Sequence, residues 1–221
     1  NEQFRSILRQ PESFGFMFDS LDYARKLTDK KEQLAILTYP LRAANAPYTF
    51  HGFIQLKQEE GPMQLIELHD RSDSLDNPVR QQLQADTWYG AFYYKLLTHS
   101  YQNSTYYTLL GWDGHNLYTN RKVIEIMQVL PDGSVVFGAP VLQTDQGAHH
   151  RRIFKFSQQA VMTLRFDDRE DMIIYDHLAP QSSFYEGQYE YYGPDFTQDG
   201  LEFKKGLWRL HRNIEVTNPR N

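Results

Sequence analysis

The sequence predicts a mainly β protein, an antiparallel meander forming a barrel or a two-layer sandwich, with a short N-terminal helical cap. Three observations predict it. Alternating or apolar segments of strand length recur at about ten-residue spacing. The connections between them are short and carry turn chemistry. The long helices that a doubly wound α/β fold places between its strands are missing from the pattern. A fixed blade-length repeat is missing too, which ranks a propeller lower.

Residues 1–33 read as the cap. Ser20–Leu27 and Lys30–Gln33 are helix formers in short pieces, whereas Phe14, Phe16 and Phe18 alternate as an extended segment would. The antiparallel sheet core is expected over residues 34–221, within one β-rich domain spanning 1–221. Leu34–Thr38 is apolar and stops at Pro40. Thr49–Lys57 alternates, with Phe50, Gly52, Ile54 and Leu56 on one side, and Met63–His69 follows the turn Glu59–Pro62. Ala91–Thr98, Thr105–Leu110, Val123–Leu130, Val135–Phe137, Arg152–Phe156, Val161–Phe166 and Met172–Asp176 continue the series. Phe203 and Trp208–Leu210 close it.

Turn residues support these boundaries. Asp113-Gly114 suits a tight hairpin that needs positive φ. Pro131–Ser134 combines Pro, Asp and Gly in turn order, and Asp167–Asp171 and Lys204–Gly206 are polar tips. Asn77–Ala85 is the one internal stretch that reads as a helix, with Asn77 as cap and Pro78 at its first position. Pro180–Gly200 is long, rich in Gly, Pro and Tyr, and shows no strand pair. Loops of that kind are often functional.

Composition narrows the function. The chain has 221 residues, with 23 Lys and Arg against 28 Asp and Glu, a formal net charge of −5 and a sequence pI near 5.9. That balance argues against general nucleic-acid binding. Cysteine is missing, which removes thiol nucleophiles, thiolate metal sites and disulfides. No apolar run approaches the roughly 20 residues needed to span a bilayer as a helix. The chain begins at Asn1 rather than Met, so a preceding segment is expected: a signal peptide, a lipoprotein leader or another boundary. Aromatic residues make up 14%, with 15 Tyr and 14 Phe, and they are the unusual feature.

Four segments carry a resemblance: Trp88–Lys95 (WYGAFYYK), Tyr106–Gly114 (YYTLLGWDG), Tyr175–Pro180 (YDHLAP) and Tyr192–Phe196 (YGPDF). Together they resemble a family of uncharacterised, exported bacterial hypothetical proteins with no known activity. The resemblance covers most of the chain. It implies a cell-envelope or secreted location and assigns no functional residue.

Candidate sites were weighed against ordinary structural roles. Asp195, Thr197, Asp199 and Gly200 match the opening of a calcium loop, but the twelfth position is Gly206 rather than a bidentate Glu, so a local turn is the better reading. Asp176 and His177 could form an acid–base pair, yet adjacent strand residues face opposite sides, and Asp176 better suits capping of loop amides. The eight histidines show no zinc spacing, and serines show no nucleophile motif. No cofactor is expected. In adjacent aromatic pairs such as Tyr93-Tyr94 and Tyr106-Tyr107, one ring should face the core and the other a possible binding surface.

The resulting expectation is a non-catalytic envelope protein that binds a carbohydrate, peptide or protein through an aromatic-lined surface. The residues proposed for it are Tyr185, Tyr189, Tyr191, Tyr192, Asp195, Asp199, Trp112 and His177. The first rival is a hydrolase in which Asp113, His115, Asp176, His177 and Asp195 converge in a cleft. The second is a structural subunit of an envelope assembly.

Overall fold

A computed structural model of the protein describes residues 2–18, 20–44, 46–58 and 60–215. It is mainly β, and its strands form three antiparallel sheets. Sheet 1 runs β1 (Arg25–Thr28), β2 (Leu34–Arg42), β3 (Tyr48–Leu56), β4 (Gln64–His69) in chain order. Sheet 2 has the order β5 (Leu83–Gln84), β9 (Val135–Phe137), β8 (Thr119–Val129), β7 (Ser104–Asp113), β6 (Phe92–Tyr101). Within it β12 (Arg151–Ser157) also pairs with β8. Sheet 3 has the order β11 (Gly147–His149), β10 (Leu142–Thr144), β16 (Leu207–His211), β15 (Tyr192–Lys204), β14 (Met172–Pro180), β13 (Leu164–Asp167). Its one parallel contact joins β10 to β16.

The sheets stack in series, which corrects the expectation of a barrel or two-layer sandwich. Among the described residues no pairing closes a sheet into a ring. Sheet 2 lies in the middle and buries both faces. Leu109, Val123 and Met127 join Leu34, Ile36, Phe50 and Ile54 of sheet 1 in one core. Their neighbours Leu110, Ile124 and Ile126 join Ile173, Leu201 and Trp208 of sheet 3 in a second. The physical reason lies in β7 and β8, whose apolar residues run consecutively instead of alternating. A strand can carry such a run only when both of its faces are covered. The adjacent aromatic pairs follow the same logic. Tyr93 is buried in the first core and Tyr94 packs against the second, and Tyr107 and Tyr106 divide in the same way. Both rings of each pair therefore serve packing. Polar bonds tie the layers: Tyr93 N donates to Thr38 Oγ1 at 3.0 Å, and Trp208 Nε1 donates to Thr108 Oγ1 at 3.0 Å.

The expected short N-terminal helix is present, and several local boundaries change. The cap contains one α-helix, α1 (Glu2–Leu8), which covers the outer face of sheet 1 with Leu37, Tyr39 and Phe53. The sheet starts at Arg25 rather than Leu34, because Lys26 is buried and its ammonium donates to the carbonyls of Ser13 and Phe14, both at 2.7 Å. Asn77–Ala85 forms no α-helix; a single 3-10 turn covers Pro78–Arg80. Carbonyls that a helix would use internally accept elsewhere: Arg151 donates to Pro78 and Gln81, and His150 N to Val79. β2 also continues through Pro40, beyond the last residue paired with β1, where the missing N–H removes no bond from that ladder. The Pro131–Ser134 and Lys204–Gly206 tips are tight turns, with Gly133 at φ 80° and Gly206 at φ 80°. The turn expected at Glu59–Pro62 lies partly outside the described residues.

Candidate functional site

Strand direction sorts the connections into two ends. One end carries the tight tips after β6, β8, β13 and β15. The other carries the longer connections 43–47, 114–118, 158–163 and 181–191, together with the irregular segment after β4. Large apolar side chains stand in solvent at this second end: Leu117 is 63% exposed, Tyr118 71%, Val161 86%, Phe184 80% and Phe196 100%.

The 181–191 connection is built on its own rings. Two 3-10 turns, Ser183–Tyr185 and Tyr189–Tyr191, bracket Gly187, which sits at φ 83°. Tyr185 and Tyr191 stack with centroids 4.0 Å apart, Tyr189 contacts Tyr192 at 5.0 Å, and Phe184 meets Tyr185 edge-on. The Tyr192 hydroxyl accepts Gly187 N at 3.0 Å, and Gln181 N donates to Tyr191 O at 3.0 Å. β15 starts at Tyr192, inside the stretch expected to lack strand pairing, with Pro180 opposite Tyr192 and Leu178 opposite Pro194.

Between Leu178 and Asp176 the register shifts, which marks a bulge. Phe196 occupies it at φ 70° and is fully exposed. His177 Nδ1 lies 2.8 Å from Asp195 Oδ2, and Thr197 N and Oγ1 donate to Asp195 Oδ1 at 3.0 and 2.7 Å. Desolvation is the largest single influence and works against it, but the Thr197 bonds and His177 together hold the Asp195 carboxyl below the usual carboxylate range.

Two adjoining depressions flank this connection and share Ser157, Gln159 and Gln181 in their walls; together they make up the candidate groove. The first, about 380 Å³, is bounded by Tyr118, Glu190 and Tyr191. The second, about 450 Å³, is bounded by Pro180, Tyr192 and Asp195. Hydroxyls, amides, carboxylates and rings line it, and neither part has a Lys, Arg or His among its lining residues.

The other expected residues are placed as follows. Tyr189 faces the opposite way from Tyr191, with Lys155 Nζ 5.1 Å from its ring. Asp199 is buried and accepts Asn213 N at 3.1 Å. Trp112 packs edge-on against Tyr48 and Phe50 between sheets 1 and 2. Neither Asp199 nor Trp112 lines the groove. The residues of the hydrolase reading separate into three hydrogen-bonded sets. His177 pairs with Asp195. Asp176 accepts Thr163 N at 2.7 Å and Gln198 Nε2 at 2.8 Å, the capping role its position suggested. Asp113 and His115 meet around Arg121.

In that third set the sequence reading names Asp113 and His115 but not Tyr89 and Arg121, which join them. Tyr89 Oη donates to Asp113 Oδ2 at 2.9 Å, and Arg121 Nη1 donates to Tyr89 Oη at 3.1 Å and Asp113 at 3.3 Å. Arg121 Nη2 lies 2.7 Å from His115 Nε2. Burial and the Arg121 charge push His115 down to about 4, so the neutral ring accepts from the guanidinium. Burial raises Asp113, against the pull of Arg121 and Tyr89. Arg121 and Tyr89 line a second cleft of about 450 Å³ on the Tyr189 side of the connection. The available signal was Lys155, a charge between Phe154 and Phe156 whose alternation turns it away from their core.

A wider depression, about 790 Å³, follows the free edge of β1. Its side chains mix Arg25, Lys30, Asp22 and Glu32, so no one ligand chemistry converges there. Comparison with protein-family models, curated proteins and solved structures returns no match, so the site is read from its geometry.

Proposed function

We propose that the protein is a non-catalytic ligand-binding protein of the cell envelope or secreted space, and that its groove takes a polyhydroxylated chain such as an oligosaccharide. One observation carries the reading: two adjoining depressions whose polar groups are amides, hydroxyls and carboxylates, set between tyrosine rings and lined by no cation. Aromatic faces supply flat apolar contact to the C–H faces of a sugar ring, and amides and carboxylates bond its hydroxyls. Each part of the groove falls within the ~300–1,000 Å³ range of small-molecule sites. No helix of the described residues is long and apolar enough to cross a membrane.

Affinity electrophoresis through gels containing soluble polysaccharides, backed by a glycan array, tests the reading. The wild type should be retarded by at least one polysaccharide. Tyr191→Ala and Gln181→Ala should abolish the retardation with little change in melting temperature, whereas Asp168→Ala at the opposite end should not. No retardation and no array binding would overturn the proposal. Release of new reducing ends in the same mixtures would favour the hydrolytic reading, which the His177–Asp195 pair beside the groove supports.

A further inference from the structure

We infer that the cleft under Tyr189 binds an organic carboxylate with an apolar body, its charge held by Arg121 and Lys155. The inference goes beyond the groove, which lies on the other side of the 181–191 connection and presents no cation.

Three observations carry it. The first is register. Lys155 of β12 is the direct cross-strand partner of Arg121 of β8, and Asp113 of β7 is the partner of Arg121 on its other side. Asp113, Arg121 and Lys155 thus form one row across three strands. Like charges directly opposite each other destabilise a sheet, and among the described residues no second carboxylate forms an ion pair with either cation. Among the described residues, the one ion pair in the row is Arg121 with Asp113, and Asp113 also accepts from Tyr89.

The second observation is incomplete satisfaction. The Arg121 side chain is 13% exposed, and its Nε is enclosed without an acceptor among the described residues. Its remaining bonds go to neutral Tyr89 and His115, and to the shared Asp113. Lys155 contacts the ring of Tyr189, and burial together with Arg121 lowers its affinity for a proton. Asp73 is the further carboxylate whose field reaches His115, and it does not line the cleft. Asp70 acts on Asp113 from outside the cleft as well, so the charged groups of the lining itself are two cations, Arg121 and Lys155, and no carboxylate.

The third observation is the wall. Leu75, Val79 and Ile153 line the cleft beside Tyr89, and Tyr189 closes its mouth. A bare inorganic anion would leave these apolar surfaces wet. A carboxylate on an aryl or alkyl body would cover them while its oxygens face the guanidinium and ammonium groups.

Titration calorimetry on the full chain tests the site with indole-3-propionate, its neutral amide and inorganic phosphate as probes. The acid should bind saturably at millimolar concentrations or below. The amide should bind about tenfold more weakly or worse, as expected when a partly buried charge contact worth about 1.4 kcal/mol is lost. Phosphate should not displace the acid. Lys155→Gln should weaken acid binding about tenfold, leave amide binding unchanged, and not lower the melting temperature, because it removes a like-charge pair. It should also keep any polysaccharide retardation, which separates this site from the groove. Arg121→Gln should abolish acid binding; if that variant fails to fold, Lys155→Gln decides. Equal binding of acid and amide, full competition by phosphate, or no saturable binding of the acid would each overturn the inference.

Discussion

Arg151 and Glu125 form an ion pair sealed inside the protein: Nε lies 2.7 Å from Oε2, and neither side chain is exposed. They are register partners on β12 and β8, the ladder that sets Lys155 against Arg121 a few rungs away. Burial pushes the Glu125 carboxyl up, and Arg151 and the Ile126 amide oppose that push. Breaking one side of such a pair leaves an uncompensated buried charge. Arg151→Met or Glu125→Gln should cost about 3–5 kcal/mol in urea unfolding. Pairing Arg151→Met with Glu125→Leu should recover only part, because the Pro78 and Gln81 carbonyls also lose their donor. Single-variant costs below about 0.5 kcal/mol would show that the pair is not sealed.

Gly114 matters for space rather than for turn geometry. The connection after Asp113 is wider than a two-residue hairpin, and Gly114 is not among the positive-φ glycines. A Cβ there would lie 2.6 Å from both the Trp112 ring and Tyr48. Gly114→Ala should already cost about 1–3 kcal/mol by overpacking, and Gly114→Val at least as much. Asn, which tolerates positive φ, should do no better than Ala in thermal unfolding. A clear rescue by Asn would restore the tight-turn reading.

Alkaline stability should be limited by enclosed tyrosines. Burial raises Tyr39 and Tyr175 to about 12, and raises Tyr89, Tyr93, Tyr94 and Tyr107 as well. In the unfolded chain tyrosines ionise near pH 10. The unfolded state therefore loses protons first, and stability falls as pH rises from about 10 towards 12. Lys26, held down to about 8 by burial, works in the opposite sense but at lower pH, between about 8 and its unfolded value near 10.5. A tyrosinate absorbance titration should show a late fraction that ionises together with loss of near-ultraviolet dichroism. Ionisation of all tyrosines in one step near pH 10, with the fold intact, would refute this.

Acid stability should carry the mark of His115. Its pKa of about 4 lies below the ordinary 6.5, so between those values the unfolded chain binds a proton that the folded chain refuses. Stability then falls as pH drops through that window. Asp113, raised by burial, acts the other way, so the comparison must isolate the ring. His115→Gln keeps an acceptor for Arg121 and should flatten the slope by about 1 kcal/mol over the window, after allowing for screening of a partly exposed ring. An unchanged slope would show that the ring is not kept neutral by its setting.

Much of the fold was legible in the sequence. β3 and β9 lie where the alternation and the Val-Val-Phe run put them, and the Gly133 and Gly206 turns follow from local chemistry alone. β1 was not legible, because Arg25-Lys26-Leu27 reads as helix until the Ser13 and Phe14 carbonyls are seen to take the Lys26 ammonium. β10 and β11 are three residues each, too short to show alternation; they pair with each other as a local hairpin, and only the contact of β10 with β16 is distant. The layer count was present but unread in Leu109-Leu110 and Val123-Ile124, whose paired apolar residues serve two cores. In the site, the aromatic connection around Tyr185–Tyr192 announced itself by composition. The Arg121–Lys155 pairing did not, because it exists only in the β8–β12 register.

The parallel contact of β10 with β16 also bears on how the chain is made. Trp208 N donates to Val141 O at 2.8 Å, and its indole reaches Thr108 on the middle sheet. Synthesis delivers Leu110, Ile124 and Ile126 to the ribosome exit well before Trp208, so their second face, partly covered by residues such as Phe154, Ile173 and Leu201, is completed only by β16. β10 pairs with β11 as soon as that strand is made, but on its other side it waits for β16. A nascent chain halted before Leu207 would therefore display a broad greasy surface and a strand with an open flank, both recognition marks for chaperones and proteases. Completion of the β15–β16 hairpin is the event that hides both.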